Sequence, residues 1–476
     1  MTRLLLRSLA LAAGGLALGA VDFKAHAGSP PDPFHTGAAL HKDTAEYTDP
    51  LGHDCTIPGG ALTFPAAVNL ALCRNPQTRA AWAIAHEQAA ALGAAESAWL
   101  PSASLTGSES RDFGQHVDVT GNIVSGAQNT GDATVNLTWT LYDFGGRGAR
   151  IKSAHSLMDA AAATAGSTAQ QVVRLVVQSY YGVVAGDATL GAAKTTEEVT
   201  AHSLEIARAL REGGVRTLAD VLQAETAYGQ AVLARIQAEA AAKAARGTLA
   251  VTLGLTAEEG FKLDAEPVPT EVPALTARMA DLMAEAARQR PDLKAAQAQR
   301  DAAESNITVA RALGRPSIQI GALHNFVAQT GVPNENYDQV GISVTWPLFT
   351  GFNVSYGIRQ AQATLQQQEA NLEQVGLSVT LDVWNGYYSL DSANQQLTVT
   401  AALTKTADDN LQVALGRYQA GVGTIVDVLT AQTAAATSRL LRINGELGWK
   451  VARANLALAL GRLSSAEPLV DGARLP

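Results

Sequence analysis

Two stretches of this chain alternate between apolar and polar side chains, 207 positions apart. In the first, Val135, Leu137, Trp139 and Leu141 interleave with Asn136, Thr138 and Thr140; in the second, Ile342, Val344, Trp346 and Leu348 interleave with Ser343, Thr345 and Pro347. A period of two gives an extended strand one apolar and one polar face. A weaker strand candidate precedes each run, at about 102–110 and about 317–326. The intervening loops, 111–131 and 327–337, are rich in Gly, Asn and Gln and are expected to face solvent.

Helical patterns surround these hairpins. Segments of about 65–99 and 276–313 are rich in Ala, Gln, Glu and Arg, all good helix formers, and Pro101 and Pro316 stop them. After each hairpin comes a stretch without proline, about 147–211 and about 355–419. At 1.5 Å per residue, ~65 residues span roughly 100 Å, which predicts coiled-coil-like rods. Glycines turn the chain at 213–214 and 421–423, and helices of about 217–253 and 424–460 return.

The order is therefore a duplication. Asn75-Pro76 and Pro101 match Arg290-Pro291 and Pro316 at an offset of 215. Trp139-Thr-Leu-Tyr142 matches Trp346-Pro-Leu-Phe349 at 207, as do Tyr180-Tyr181 and Tyr387-Tyr388. The predicted organisation is a leader at 1–27, an N-terminal segment at 28–60, a repeat at 61–255, a linker at 256–275, a second repeat at 276–463 and a tail at 464–476.

Composition narrows the compartment. Arg3 and Arg7, the apolar run Leu9 to Val21 and Ala25-His26-Ala27 read as an export signal with a cleavage site. Beyond it no run of about 18 apolar residues occurs, which excludes a spanning helix but not a β-barrel. The net charge is −9, and an acidic chain without basic blocks argues against nucleic acid as a partner. Cys55 and Cys73 are the two cysteines. An even, small count in an exported chain suggests one disulfide, the alternative being two unpaired thiols with Cys73 packed on its helix. No His/Cys cluster has metal-ligand spacing, and no H-E-x-x-H, G-x-S-x-G or Walker A pattern is present. No enzyme, metal or cofactor is expected.

Four strands per chain cannot close a barrel, since roughly eight are needed, and lipid forbids an open edge. The chain must oligomerise to complete one. The aromatic pairs Trp139/Tyr142 and Trp346/Phe349 would then stand at the interfacial girdle. A structural or adhesive coiled-coil surface protein is the competing reading, and the paired alternating hairpins speak against it.

The duplicated order helix, strand, strand, long helix, turn, helix resembles the TolC family of outer-membrane factors. The likeness is carried by Leu62-Thr-Phe-Pro-Ala-Ala-Val-Asn-Leu-Ala-Leu72, Trp99-Leu-Pro101, Leu141-Tyr-Asp-Phe-Gly-Gly146, Trp346-Pro-Leu-Phe349 and Gly421-Val-Gly-Thr-Ile-Val-Asp-Val-Leu429. Leu70 to Arg79 is most similar to the CyaE branch, which serves type I secretion of a toxin. The resemblance implies a mainly α fold with a small β part: a long coiled-coil α-barrel, and four strands per chain of a 12-stranded transmembrane β-barrel shared by a homotrimer. It implies an exit duct in outer-membrane lipid, extending into the periplasm. A periplasmic adaptor would couple it to an inner-membrane ABC transporter or proton-driven pump, for protein secretion or small-molecule efflux.

The resemblance also implies a gate. Asp220 and Asp427 follow the two turns, and a ring of each around a narrow axis would bind cations and disfavour anions. On the residues alone, each carboxylate is equally a helix-start residue favoured by the dipole. Tyr418 matches the family's gate tyrosine and is expected to hydrogen-bond near Asp220. Gly423 stands where the family's best-known member has an arginine and Thr430 where that member has a further Asp. Arg216 either replaces that arginine or is a solvated turn residue. The turns Gly213-Gly214-Val215 and Gly421-Val422-Gly423 would present the adaptor-docking tip.

Overall fold

The computed structural model describes residues 31–43, 55, 61–117, 121–258, 260–264, 278–329 and 333–462. The expected leader, tail and much of the expected linker lie outside the described residues. Two compact units emerge, and each draws on both sequence repeats. One gathers 88–157 and 300–367 with the residues through 39; the other gathers 40–87, 158–299 and 368–476.

The elements in chain order are α1 (Thr36–Asp43), β1 (Leu62–Thr63), α2 (Phe64–Arg74), α3 (Pro76–Glu96), β2 (Ser102–Val117), β3 (Ile123–Tyr142), α4 (Gly146–Glu212) and α5 (Leu218–Thr252). Then follow β4 (Leu263–Asp264), α6 (Met279–Gln289), α7 (Pro291–Ala312), β5 (Ser317–Gln329), β6 (Glu335–Thr345), α8 (Asn353–Gln419) and α9 (Ile425–Ala459). The rods α4 and α8 are single helices of 67 residues each.

The expected helices 65–99 and 276–313 each divide in two. Asn75 and Arg290, which precede proline, adopt extended backbone with ψ 128° and 123°, because a proline ring excludes the helical region for the residue before it. Pro76 and Pro291 then open the next helix, where the missing N–H costs nothing.

In the first unit β2, β3, β5 and β6 form one antiparallel sheet in that order. Its strands are longer than the alternation predicts. The expected loop 111–131 is mostly strand, since β2 runs to Val117 and β3 resumes at Ile123; β5 likewise reaches Gln329 and β6 begins at Glu335. Apolar residues there, Phe113, Val117 and Ile123, are too few among Gly, Ser, Asn and Gln to supply an alternating signal, while the backbone ladder runs on through them. At the other end β6 stops at Thr345, so Trp346 and Phe349 fall just outside the strand, where Pro347 has no N–H to give a ladder.

In the second unit the main core joins α2, α4 and α5 through Val68, Val172, Val176, Tyr180 and Leu249, all fully buried. Phe64 stacks at 5.5 Å on Tyr181 and meets Tyr180 edge-on. The Tyr180 hydroxyl reaches the carbonyls of Asp264 and Leu62 at 2.7 and 3.2 Å, pinning the short parallel pair β1–β4. Cys55 and Cys73 are joined there as a disulfide, Cα atoms 5.9 Å apart. A second core packs α6 against α8 and α9 through Leu282, Val383, Trp449 and Leu456.

Candidate gate and membrane-facing sheet

The return helices begin with the same device. Thr217 caps α5 and accepts from the Asp220 N–H at 3.4 Å, and Thr424 caps α9 and accepts from the Asp427 N–H at 3.2 Å. Asp427 completes a capping box, its carboxylate accepting from the Thr424 N–H at 3.0 Å and hydroxyl at 2.8 Å. Asp220 accepts from the Thr217 hydroxyl at 3.1 Å. Both carboxylates therefore serve their helix starts, and both are exposed or half-exposed. The bond from the Thr424 N–H, with its hydroxyl and Arg417 adding to it, holds the Asp427 carboxyl below the usual range.

Each rod ends in a left-handed glycine, Gly214 at φ 74° and Gly421 at φ 78°. The N–H of Val215 bonds back to Leu210 O, and that of Val422 to Arg417 O, both around 3 Å, which closes a Schellman turn. A side chain at Gly423 would meet the Tyr418 nitrogen at 3.1 Å, so the second turn folds tightly over Tyr418. Val215 and Val422 stand exposed at the two turns.

Tyr418 corrects one expectation. It is fully buried among Leu204, Val221, Ile425 and Val428, and its hydroxyl has no hydrogen-bond partner among the described residues. It makes no hydrogen bond to Asp220; burial first, then the Asp220 charge, pushes the phenol up, with Arg216 opposing.

Arg216 corrects another. It is no solvated turn residue: its guanidinium leaves the first turn and donates to the carbonyls of Gly421, at 3.3 Å, and Gly423 on the second. It also lies 5.0 Å over the Tyr418 ring. The second turn thus receives a guanidinium from the first. Sequence spacing alone could flag Arg216 only as a cation near Asp220, because its partners lie 205 and 207 positions away.

The sheet forms the other candidate surface. Its register sets Ala103, Leu137, Ala322 and Val340 on one row, and Trp139, Ile320 and Ile342 on the next. These share one face with Leu105, Val135, Ile318 and Val344. The opposite face carries Ser104, Thr106, Asn136, Thr138, Gln319, Gln339 and Ser343. Large apolar side chains on the first face are exposed, Leu105 and Val340 at 74% each, as a lipid-facing surface requires. At the helix-proximal end Trp139 Nε1 donates to Trp99 O at 2.9 Å, and Arg147 lies 4.2 Å over the Trp99 ring. Tyr142 packs on Phe144, and Phe349 on Phe352, as two further aromatic pairs.

A long sheet with one exposed apolar face, joined in sequence to 67-residue helices, is the make-up of a membrane channel protein. Comparison with known sequences agrees: the family described as outer membrane efflux protein matches residues 67–255 and 282–462. The chain belongs to that family, whose members are channels of the Gram-negative outer membrane that extend into the periplasm.

Protein CyaE of Bordetella pertussis is 30% identical over 377 residues, 78% of each chain. The toluene efflux pump outer membrane protein TtgC of Pseudomonas putida is 25% identical over 379 residues, 76% of this chain and 75% of its own. The solved outer-membrane channel OprN superposes with a TM-score of 0.72 at 22% identity, covering 88% of this chain and 95% of OprN.

Proposed function

We propose that this protein is the passive exit duct of a tripartite export system, closed as a homotrimer. Three copies with four strands each share one barrel of 12 strands. The observation that carries this reading is the sheet itself: one face apolar and exposed, two edges open, and too few strands to close alone. Because the strand number is even and every neighbour antiparallel, β2 and β6 run in opposite directions, so the β6 edge of one copy can pair antiparallel with the β2 edge of the next.

The helices support the same assembly. On α8, Leu377, Leu381, Trp384 and Tyr388 repeat at spacings of four, three and four and are exposed in the single chain. An apolar stripe at that spacing is the seam of a helix packed against a neighbour, here a further copy.

In this reading Asp220, Asp427 and Tyr418 stand at the gate, with Arg216 as its latch. The turns Gly213 to Val215 and Gly421 to Gly423 receive a periplasmic adaptor, and an inner-membrane ABC transporter or proton-driven pump supplies the energy. Trp139, Tyr142, Trp346 and Phe349 mark the interfacial girdle. The likeness to protein CyaE favours type I protein secretion over small-molecule efflux.

Purified protein added to a planar bilayer is expected to give stepwise conductance, blocked by multivalent cations from the gate side. A soluble, detergent-independent oligomer without conductance would overturn the duct. The system is decided in a Gram-negative strain deprived of its own exit ducts. Restored export of a protein substrate supports secretion, whereas restored solvent or drug tolerance alone moves the chain to efflux.

A further inference from the structure

The lipid-facing side of the sheet carries an acidic residue on an open edge. Asp338, on edge strand β6, is exposed and pairs with His324 on β5 at 2.7 Å. The register places Leu105, Val135, His324 and Asp338 on one row. The row toward the helices, Ala103, Leu137, Ala322 and Val340, is apolar, and the outer row, Gly107, Ala133, Phe326 and Asn336, is apolar except at Asn336. Among the described residues no strand of its own chain pairs with β6 across the open edge on which Asp338 stands, and the next strand there comes from another copy. The other edge strand, β2, displays Ala103, Leu105, Gly107, Glu109, Arg111, Phe113, Gln115 and Val117 on this same face. Arg111 is its one cation, and it rests 5.4 Å from the Phe113 ring.

We infer that Asp338 of one copy faces Arg111 of the next, and that this pair fixes the register at which β6 joins β2. The inference rests on the shared barrel proposed above and adds to it the alignment of the joint. Only an even stagger keeps apolar face beside apolar face. Negative staggers run β6 past the start of β2 at Ser102. A stagger of zero leaves the outer half of β2 unpaired in lipid, which is forbidden.

Three staggers remain in which β6 is covered along its whole length. Counting from Leu105, the residue on Asp338's own row, a stagger of four sets Asp338 beside Glu109, and like charges directly opposite repel. A stagger of eight sets it beside Phe113 and tilts the strands of a 12-strand barrel by about 54°, beyond the usual range. A stagger of six sets it beside Arg111 at a tilt of about 45°.

The same tilt accounts for an acid on this face at all. Rows climb as they cross a tilted sheet, so Asp338 rises about 10 Å above Leu105 and comes level with Glu109. The charged groups of this face then gather at the outer rim of the apolar belt. Tyr142 and Trp346 end the belt at its other rim, about 20–25 Å lower, which matches the height of a membrane barrel's apolar band.

The test is disulfide cross-linking through the inward, polar face in the full chain, with Cys55 and Cys73 left in place. A stagger of six sets Gln339 directly opposite Ser110 of the next copy. S110C/Q339C is expected to link copies up to a covalent trimer under mild oxidation. S108C/Q339C and D112C/Q339C, the pairs for staggers of four and eight, are expected not to, since diagonal neighbours lie beyond disulfide reach.

Preferential linking of either of those pairs, in a protein that native mass spectrometry shows to be trimeric, overturns the register and leaves the duct standing. A monomer by native mass spectrometry overturns both. Arg111→Glu is expected to abolish detergent resistance of the oligomer while Arg111→Lys retains it; equal resistance in the two removes the charge pair as the determinant.

Discussion

The guanidinium of Arg216 crosses from one turn to the carbonyls of the other and covers the Tyr418 ring on the way. Closure of the two tips within one chain therefore depends on this side chain more than on the phenol beneath it, whose hydroxyl bonds nothing. An unpaired buried hydroxyl costs free energy, so its removal is nearly neutral. Arg216→Ala is expected to raise closed-state leak in single-channel recordings several-fold, and Tyr418→Phe to leave it unchanged; a leaky Tyr418→Phe would restore the phenol as latch.

Asp220→Ala and Asp427→Ala should each weaken cation block. Unchanged block would reduce the two carboxylates to helix caps. Since Asp427 is held below its ordinary value, its capping contribution is complete above about pH 4 and is lost as pH falls through the lowered value. The thermal midpoint of Asp427→Asn against wild type should converge in that acidic window. The sequence marked both carboxylates through their place after the turns. The phenol's isolation and the Arg216 crossing were hidden, because both depend on residues two hundred positions away.

At the scale of elements, local chemistry was mostly readable. Pro101, Pro316 and the turn glycines mark helix ends within a few residues, whereas Pro76 and Pro291 break helices that the pattern alone reads as continuous, and the Thr217 and Thr424 caps emerge only in the structure. Thr424→Ala, which removes the capping hydroxyl, should cost about 1 kcal/mol, seen as a lower thermal midpoint. The strands extend past the alternating runs, because apolar residues in their outer halves, such as Phe113, Val117 and Ile123, are too scattered to signal a period of two and only cross-strand pairing reveals them as sheet. The Cys55–Cys73 bridge closes a loop of 18 residues, worth about 3 kcal/mol in the chain-entropy model. Non-reducing mass mapping of exported protein should find the linked peptides; free thiols at both positions would exclude the bridge.

For the whole molecule, the deciding facts are surfaces left uncovered in one chain. The stripe Leu377, Leu381, Trp384 and Tyr388 and the two open sheet edges are unfinished without further copies. Trp384→Glu should lower the fraction of trimer in native mass spectrometry while leaving helix content by circular dichroism unchanged. Sequence periodicity alone determined that this protein has paired two-faced strands, rods of about 65 residues, a twofold internal repeat and membrane strands too few to close, since these follow from spacing along the chain. Only the tertiary structure decided that Arg216 spans the two turns, that the Tyr418 hydroxyl is buried without a hydrogen bond among the described residues, and which residues share a row of the sheet. Each of these depends on which distant backbone lies alongside which, and a single chain's local pattern carries no record of that distance.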